Sequence, residues 1–191
     1  MNIKYNIEFF TDWHCGSGLA AGADVDALVV KDNDGLPFVP GKTVKGLVRE
    51  AVEEIRQLQK KSIDDLHQAF GFFDSNKGTI GKDSKEKGSM FFTNAELSQE
   101  EHDAIVANGA ARFMYRTIAS TAIESDGIAK QHSLRKIQTV VPCKVYGRIL
   151  NVPNSLDDEI IMTTKFIKRL GQNRNRGFGR CIISAEKEVQ Q

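Results

Sequence analysis

Residues 2–9 read NIKYNIEF, a stretch in which polar and apolar residues alternate strictly. Successive side chains of a β-strand point to opposite faces, so this period of two predicts a strand with one buried face. The apolar residues Ile3, Tyr5, Ile7 and Phe9 would form that face. The chain therefore begins with a half-buried strand.

Two helices and three further strands are predicted after this strand. Beyond residue 41 the apolar residues follow the spacing of one helical face, which predicts an amphipathic helix over residues 43–60. A second helix is predicted over residues 156–170, because Ser155 can cap its start and Gly171 suits a left-handed stop. The strands are predicted at residues 89–97, 141–149 and 181–185. The order β-α-β-β-α-β predicts an α+β fold of the ferredoxin-like (RRM-like) class with inserted loops.

The residues between these core elements predict two insertions in a single domain of residues 1–191. We expect the insertions near residues 61–88 and 99–138. The smaller elements are a short strand at residues 28–30, short helices at 63–70 and 99–107, and a mobile polar segment at 74–88. The polar residues 117–138 lack a clear period and predict a protruding, thumb-like hairpin or a flexible arm.

Composition limits the class of protein. The chain has 191 residues, a net charge of +1 and no apolar run of the roughly 18 residues that a membrane span needs. The first residues do not resemble a signal peptide, so we expect a cytoplasmic protein without membrane contact. The cysteines are three in number and lack CxxC spacing, and the histidines lack metal-ligand spacing, so neither a disulfide nor a zinc site is expected. Cys143 and Cys181 are predicted to be strand residues.

Local charge favours a nucleic-acid partner more than net charge does. Residues 127–156 and 160–185 contain several lysines and arginines but no acidic residue. Phosphate binding usually requires such a basic surface. Arg135 and Lys136, in the first stretch, are therefore candidate RNA contacts. The alternative is that these residues are the solvated faces of ordinary elements.

The sequence GLPFVPGKTVKGLVRE at residues 35–50 predicts an anion site. It brings Lys42, Thr43 and Lys45 to the start of the first helix, and Arg49 is a fourth candidate. A helix start offers unpaired N–H groups and a partial positive charge, which together with these side chains would form a phosphate cradle. The GxxxxGK[ST] spacing is absent, so no nucleotide or other organic cofactor is expected. The alternative is a tight loop in which Thr43 caps the helix.

The sequence RLGQNRNRGFGR at residues 169–180 is the second anion signal. Glycines let a backbone lie against a ligand, and arginine side chains match phosphate oxygens with two hydrogen bonds. Its candidate RNA-binding residues are Arg169, Gln172, Asn173, Arg174, Arg176, Gly177, Phe178 and Gly179. Phe178 can stack on a base or fill the core. A solvated basic turn is the alternative.

Together with HCGSG at residues 14–18 and AGADVDALVV at residues 21–30, these two motifs resemble the RAMP superfamily of CRISPR effector subunits. Their order and spacing are most similar to the repeating backbone subunit of type III complexes. The resemblance implies a subunit that binds a CRISPR guide RNA, associates with copies of itself along the guide and with other effector subunits, and meets target RNA.

The resemblance also implies a catalytic aspartate in the loop before GLPFVPG, acting on target RNA with a divalent metal ion such as Mg²⁺. Asp26 is the best-placed residue for catalysis and for metal binding, and Asp24 is the alternate. Two other functions stay open. One is a metal-independent endoribonuclease that processes guide RNA with His14 as general base. The other is a capping or assembly subunit without catalysis, in which His14 and both aspartates are ordinary loop residues.

Overall fold

The computed structural model describes residues 1–22, 24–73 and 85–188. Its strands are β1 (Ile3–Phe9), β2 (Gly71–Phe73), β3 (Lys85–Lys87), β4 (Phe91–Phe92), β5 (Tyr115–Ser120), β6 (Arg135–Val140), β7 (Lys144–Leu150) and β8 (Cys181–Lys187). Its α-helices are α1 (Gly41–Leu58), α2 (Asp64–Phe70), α3 (Gln99–Ala107) and α4 (Asp157–Thr164). Short 3₁₀-helices occupy Ala111–Met114 and Arg174–Arg176.

The main sheet has four antiparallel strands in the order β4-β7-β1-β8. Strand β1 is central, and its four alternate apolar side chains are buried as the sequence predicts. Along the chain the elements of this sheet follow as β1-α1-β4-β7-α4-β8. This connectivity, with the sheet order, confirms the predicted ferredoxin-like fold.

Helices α1 and α4 cover one face of the sheet. Val44, Val48 and Val52 of α1 belong to the same buried cluster as the apolar residues of β1. Arg56, near the end of α1, is only 7% exposed and donates hydrogen bonds to Asp65 and Glu159. A buried arginine needs such partners because an unpaired charge inside a protein is costly. This cluster therefore ties α1 to α2 and α4.

Residues 115–140, here called the arm, form the predicted hairpin. Strands β5 and β6 pair antiparallel from Tyr115↔Val140 to Ser120↔Arg135, and the tip pairs once more at Ile123↔Ala129. Large apolar side chains of the tip are exposed: Ile123, Ile128 and Leu134. Within the described ranges, no helix is both long and apolar enough to cross a membrane.

The second long helix is shorter than predicted. It ends at Thr164 instead of residue 170, and its N-cap is Leu156, without the side-chain cap expected from Ser155. The reason is long-range pairing. After a last tight turn, the Leu170 amide donates to the carbonyl of Gly179 and Arg169 pairs with Arg180, which pulls these residues into extended backbone.

The other strand predictions need smaller corrections. Of residues 89–97 only β4 is a regular strand, while Ala95 and Glu96 make isolated bridges to neighbouring segments. Residues 28–30 are likewise bridged only singly, and Cys143 precedes β7 instead of lying in it. Most of the predicted mobile segment 74–88 lies outside the described residues, and β3 is its described part.

Candidate nucleic-acid interface

Three segments that are far apart in the sequence meet at one open cleft of about 440 Å³. Loop 1 (residues 11–30) contributes its HCGSG part, the start of α1 contributes a second wall, and the glycine-rich loop (residues 171–180) contributes the third. The polar residues that line the cleft are His14, Lys42, Thr43, Gln172 and Arg174. The structure therefore brings together the two predicted anion motifs and the loop that precedes them.

The glycine-rich loop is fixed to loop 1 by backbone hydrogen bonds. The Gln172 amide donates to the carbonyl of His14 at 2.9 Å, and the Gly179 amide donates to the carbonyl of Asp12 at 2.8 Å. Gly171 lies at φ +99°, and a Cβ there would be 2.5 Å from the His14 carbonyl oxygen. Only glycine therefore allows this close approach.

The cations at the cleft have no acidic partners. Lys42 and Arg174 are exposed, and neither takes part in an ion pair of the described residues. Arg135 and Arg176 are also unpaired, and they line a neighbouring groove along the arm with Lys130. On the open face of the sheet, by contrast, Lys4, Lys144 and Arg148 are all paired with glutamates. Among the described residues, cations without an acidic partner thus lie around the cleft and along the outer part of the arm.

The start of α1 adds a partial positive charge. Its N-cap is Pro40, which has no side-chain cap, so Thr43 is not the cap. The Gly41 amide donates to Asn94 Oδ1 at 3.0 Å and the Thr43 amide to the Pro40 carbonyl at 2.8 Å. Among the described residues, the Lys42 amide has no acceptor. One N–H group at a positive helix end is therefore available to an anion.

His14 is 1% exposed and joins loop 1 to the arm. Its Nδ1 lies 2.6 Å from the carbonyl oxygen of Gln138. A carbonyl oxygen can only accept, so Nδ1 carries a proton and donates to it. Nε2 has no hydrogen-bond partner in the described ranges. The adjacent Cys15 thiol is neutral, because burial raises its pKa to about 12.

Lys45 and Arg49, both predicted to bind RNA, do not line the cleft. Lys45 Nζ lies 3.5 Å from the Met90 carbonyl oxygen, and burial, followed by the charge of Arg49, lowers its pKa. Arg49 itself pairs with Glu53 at 2.6 Å and donates to the carbonyl of Gly71 at 3.0 Å. Both side chains are thus engaged within the protein.

Other residues of the glycine-rich loop serve the loop itself. Arg169 donates to the carbonyl of Arg174 at 2.9 Å, which stabilises the 3₁₀ turn. Phe178 is half-buried, while Asn173 has φ +58° and Gly177 has φ +91°. These residues shape the loop that presents Arg174 to the cleft.

Asp26 and Asp24 lie in loop 1 but not among the residues that line the cleft. Asp26 Oδ2 accepts from the Lys136 amide at 2.7 Å, and its own amide donates to the Lys136 carbonyl at 2.8 Å. Asp24 is exposed in the turn at the tip of loop 1, where its amide donates to the carbonyl of Ala21. The structure therefore fixes Asp26 against strand β6 of the arm.

The protein alone does not form a metal site at Asp26. In the part of the chain that the structure describes, no three or more His, Cys, Asp or Glu side chains form a group that could hold a metal ion. Mg²⁺ often takes only one or two carboxylates and completes its coordination with phosphates and water. Asp26 alone would meet that requirement only in the presence of RNA.

Asp12, Asn94 and Gln138 are site residues that sequence reasoning missed. Asp12 accepts from Arg116 and Thr139 of the arm and, through its carbonyl, from the glycine-rich loop. These bonds join segments separated by more than a hundred residues, so no local pattern indicated them. A Cβ at Gly41 would meet the carbonyl of Phe92 in β4, so the start of α1 lies close against that strand.

Comparisons with known proteins show a shared fold and a family. A chain of the cryo-EM structure of type III-B Cmr-beta bound to cognate target RNA is 11% identical, with a TM-score of 0.68 and 97% of each chain covered. A chain of Cmr-beta in the apo state is 12% identical, with a TM-score of 0.70, and the alignment covers 100% of this chain and 99% of that one. Curated protein sequences gave no match. Identities this low show a shared fold only. The family profile described as RAMP superfamily matches residues 6–182, and the chain therefore belongs to the RAMP superfamily.

Proposed function

We propose that this protein is a subunit of a CRISPR type III effector complex and binds the sugar-phosphate backbone of the guide RNA in the cleft. The observation that carries the proposal is the meeting of three distant loops around cations that have no acidic partner. If these cations were merely solvated, there would be no need for backbone hydrogen bonds to hold the glycine-rich loop against loop 1.

The phosphates of a nucleic acid have complementary groups in the cleft. Phosphate oxygens would accept from Lys42, Arg174 and the free amide at the start of α1. The next phosphates would continue along the groove that Arg176 and Arg135 line. The guide would thus run from the cleft along the outer part of the arm.

The partners in this proposal are the guide RNA, the target RNA, other effector subunits and further copies of this chain along the guide. The fold supports it, since chains of type III-B Cmr-beta share it and one of those structures includes target RNA. The site of action would be the cytoplasm.

Cleavage of target RNA through Asp26 is the second part of the proposal. Its Oδ2 is held by the Lys136 amide, while Oδ1 has no partner in the protein as described. A carboxylate with one oxygen fixed and one free can orient a 2′-hydroxyl for attack on the adjacent phosphate. A bound Mg²⁺ would supply charge stabilisation at that phosphate. His14 is not the general base in this proposal, because its ring is buried and its Nδ1 is engaged with Gln138.

The salt dependence of RNA binding tests the first part. Each phosphate contact on single-stranded RNA contributes about 0.7 to the slope of log K against log salt. Lys42→Ala and Arg174→Ala should each flatten the slope by about 0.7 and weaken binding equally for RNAs of different sequence. Arg148→Ala, which removes a cation paired with Glu188 on the open sheet face, is the matched control and should leave the slope unchanged.

Two results would contradict the proposal. One is equal flattening by Arg148→Ala, since RNA would then follow the sheet face. The other is absence of RNA binding at moderate salt by the chain and by its assembled complex, which would favour an assembly subunit whose loops contact protein only.

A further inference from the structure

A second cleft, here called the side cleft, adjoins the first and measures about 330 Å³. One wall is α1 with Glu50 and Glu54, which are one helical turn apart on the same side. The opposite wall, between α4 and the glycine-rich loop, carries Lys168 and Arg174. Arg174 and Leu47 line both clefts, so the two are continuous.

Opposite charges face each other in the side cleft without pairing. Glu50 and Glu54 make no ion pair in the described part of the chain, and neither do Lys168 and Arg174. Elsewhere on α1, Arg49 and Glu53 do pair. Because the charges of the two walls do not meet, a ligand can lie between them. Such a ligand would donate hydrogen bonds to the acidic wall and present an anion to the basic wall.

The apolar surface of the side cleft has the form of a stacking site. The Phe166 side chain follows α4 and is 63% exposed, although Leu47 and Ala51 line the same cleft. A flat ligand between α1 and this ring would cover all three. Base stacking on an aromatic ring contributes about 1–3 kcal/mol in proteins that bind single-stranded nucleic acid.

We propose that the side cleft binds a nucleobase with an exocyclic amino group, from a nucleotide whose phosphate lies on Arg174. The base would stack on Phe166, and its amino group would donate to Glu50 or Glu54. This inference rests on the proposed RNA binding in the main cleft, because the shared Arg174 places the phosphate. It adds base preference to a site that otherwise contacts only the sugar-phosphate backbone.

The acid wall sets the preference between the two pyrimidines. Cytosine presents an amino group at position 4, and glutamate is a natural acceptor for it. Uracil presents a carbonyl oxygen there, and a carboxylate would repel it. The two bases have the same size and one ring each, and they differ at position 4 and at the adjacent N3, which accepts a hydrogen bond in cytosine and donates one in uracil. The proposed contact is the one at position 4.

The test compares the affinities of the full-length chain for oligo(C) and oligo(U) of equal length. Wild-type protein should bind oligo(C) about fivefold or more tightly. The double variant Glu50→Gln, Glu54→Gln should bring the ratio close to one, since an amide both accepts from cytosine and donates to uracil. Using the ratio cancels the general gain in affinity from removing two negative charges. Glu100→Gln on α3, an exposed glutamate away from both clefts, should retain the wild-type ratio.

A second variant tests stacking independently. Phe166→Ala should weaken binding of both oligomers about fivefold or more, whereas Phe113→Ala, an equally exposed ring outside the clefts, should not. Equal binding of oligo(C) and oligo(U) by wild-type protein, with a normal salt slope, would overturn the base site and leave backbone binding in place. A preference that survives the glutamate variants would also overturn it. Absence of binding to either oligomer would overturn both this inference and the proposed function.

Discussion

Replacing Gly171 by alanine should destabilise the fold and release the glycine-rich loop from the cleft. This loop depends on one close approach, in which Gly171 passes the carbonyl of His14 and the next amide, that of Gln172, donates to the same oxygen. An alanine Cβ would lie 2.5 Å from that oxygen and 3.2 Å from its carbon. The backbone itself must therefore move.

The size of the effect follows from two contributions. The φ of +99° lies in a region that costs a side chain about 1–2 kcal/mol. The displaced contact adds about 1–3 kcal/mol, as for other overpacked sites. We expect a loss of about 3 kcal/mol in the free energy of unfolding, or roughly 6–12 °C in Tm for a chain of this size.

Gly177→Ala is the matched control. Gly177 has nearly the same φ, +91°, but a Cβ there would meet nothing within 4 Å. It should therefore show the backbone cost alone, about 1–2 kcal/mol, in urea denaturation with an unchanged m-value. RNA affinity, measured where the variant is folded, should fall for Gly171→Ala. Equal stability of the two variants would refute the close approach at His14.

Three further predictions concern the core, the proposed catalysis and the arm. Arg56→Met should cost about 3 kcal/mol of unfolding free energy because it leaves Asp65 and Glu159 without their cation. The hydrogen bond from Arg56 lowers the pKa of Asp65 in the folded protein. The stabilisation from this ion pair is therefore fully present above the ordinary aspartate pKa of about 4 and is lost as pH falls through the lower folded pKa. In Arg56→Met, this dependence of stability on pH should be absent. In an assembled complex that cleaves target RNA, Asp26→Ala should abolish Mg²⁺-dependent cleavage while RNA affinity stays within roughly 1 kcal/mol of wild type. Asp24→Ala, the control, should cleave normally. The opposite pattern would assign the catalytic role to Asp24. The arm should be cut by protease in the free protein and protected when RNA is bound, and equal cutting in both states would remove RNA contact from the arm.

The elements that the sequence predicted correctly are those governed by local periodicity. Strand β1 and helix α1 each bury one face, and that requirement is visible in every second residue of one and in the 3.6-residue spacing of the other. The boundaries of α4 were wrong because its last predicted turn pairs with Gly179, nine residues beyond Leu170. Charge at helix ends indicates a helix, but it does not exclude a competing backbone partner.

The candidate site was predictable in its motifs and not in its individual side chains. The composition of the two anion motifs pointed to the loops that meet at the cleft. It gave no means to separate Lys42, which lines the cleft, from Lys45, three residues later on the same helix. Residues three apart lie on the same side of a helix, one turn apart along its axis, so the neighbour that each lysine meets depends on packing that the sequence does not display. The burial of His14 was likewise not predictable, because its ring bonds to the carbonyl of Gln138, which is far away in the sequence.

Strand β6 of the arm connects the proposed binding and cleavage groups. The carbonyl of Gln138 accepts from His14 beside the cleft. The Lys136 amide donates to Asp26 Oδ2, and the Lys136 carbonyl accepts from the Asp26 amide. These two anchor points are two residues apart on one strand, a separation of about 7 Å along its axis. A guide held at the cleft would therefore fix the position of Asp26 through β6, without any direct contact between the aspartate and the guide. The same geometry explains why a substitution at Asp26 should affect chemistry while leaving the cations that bind the guide unchanged.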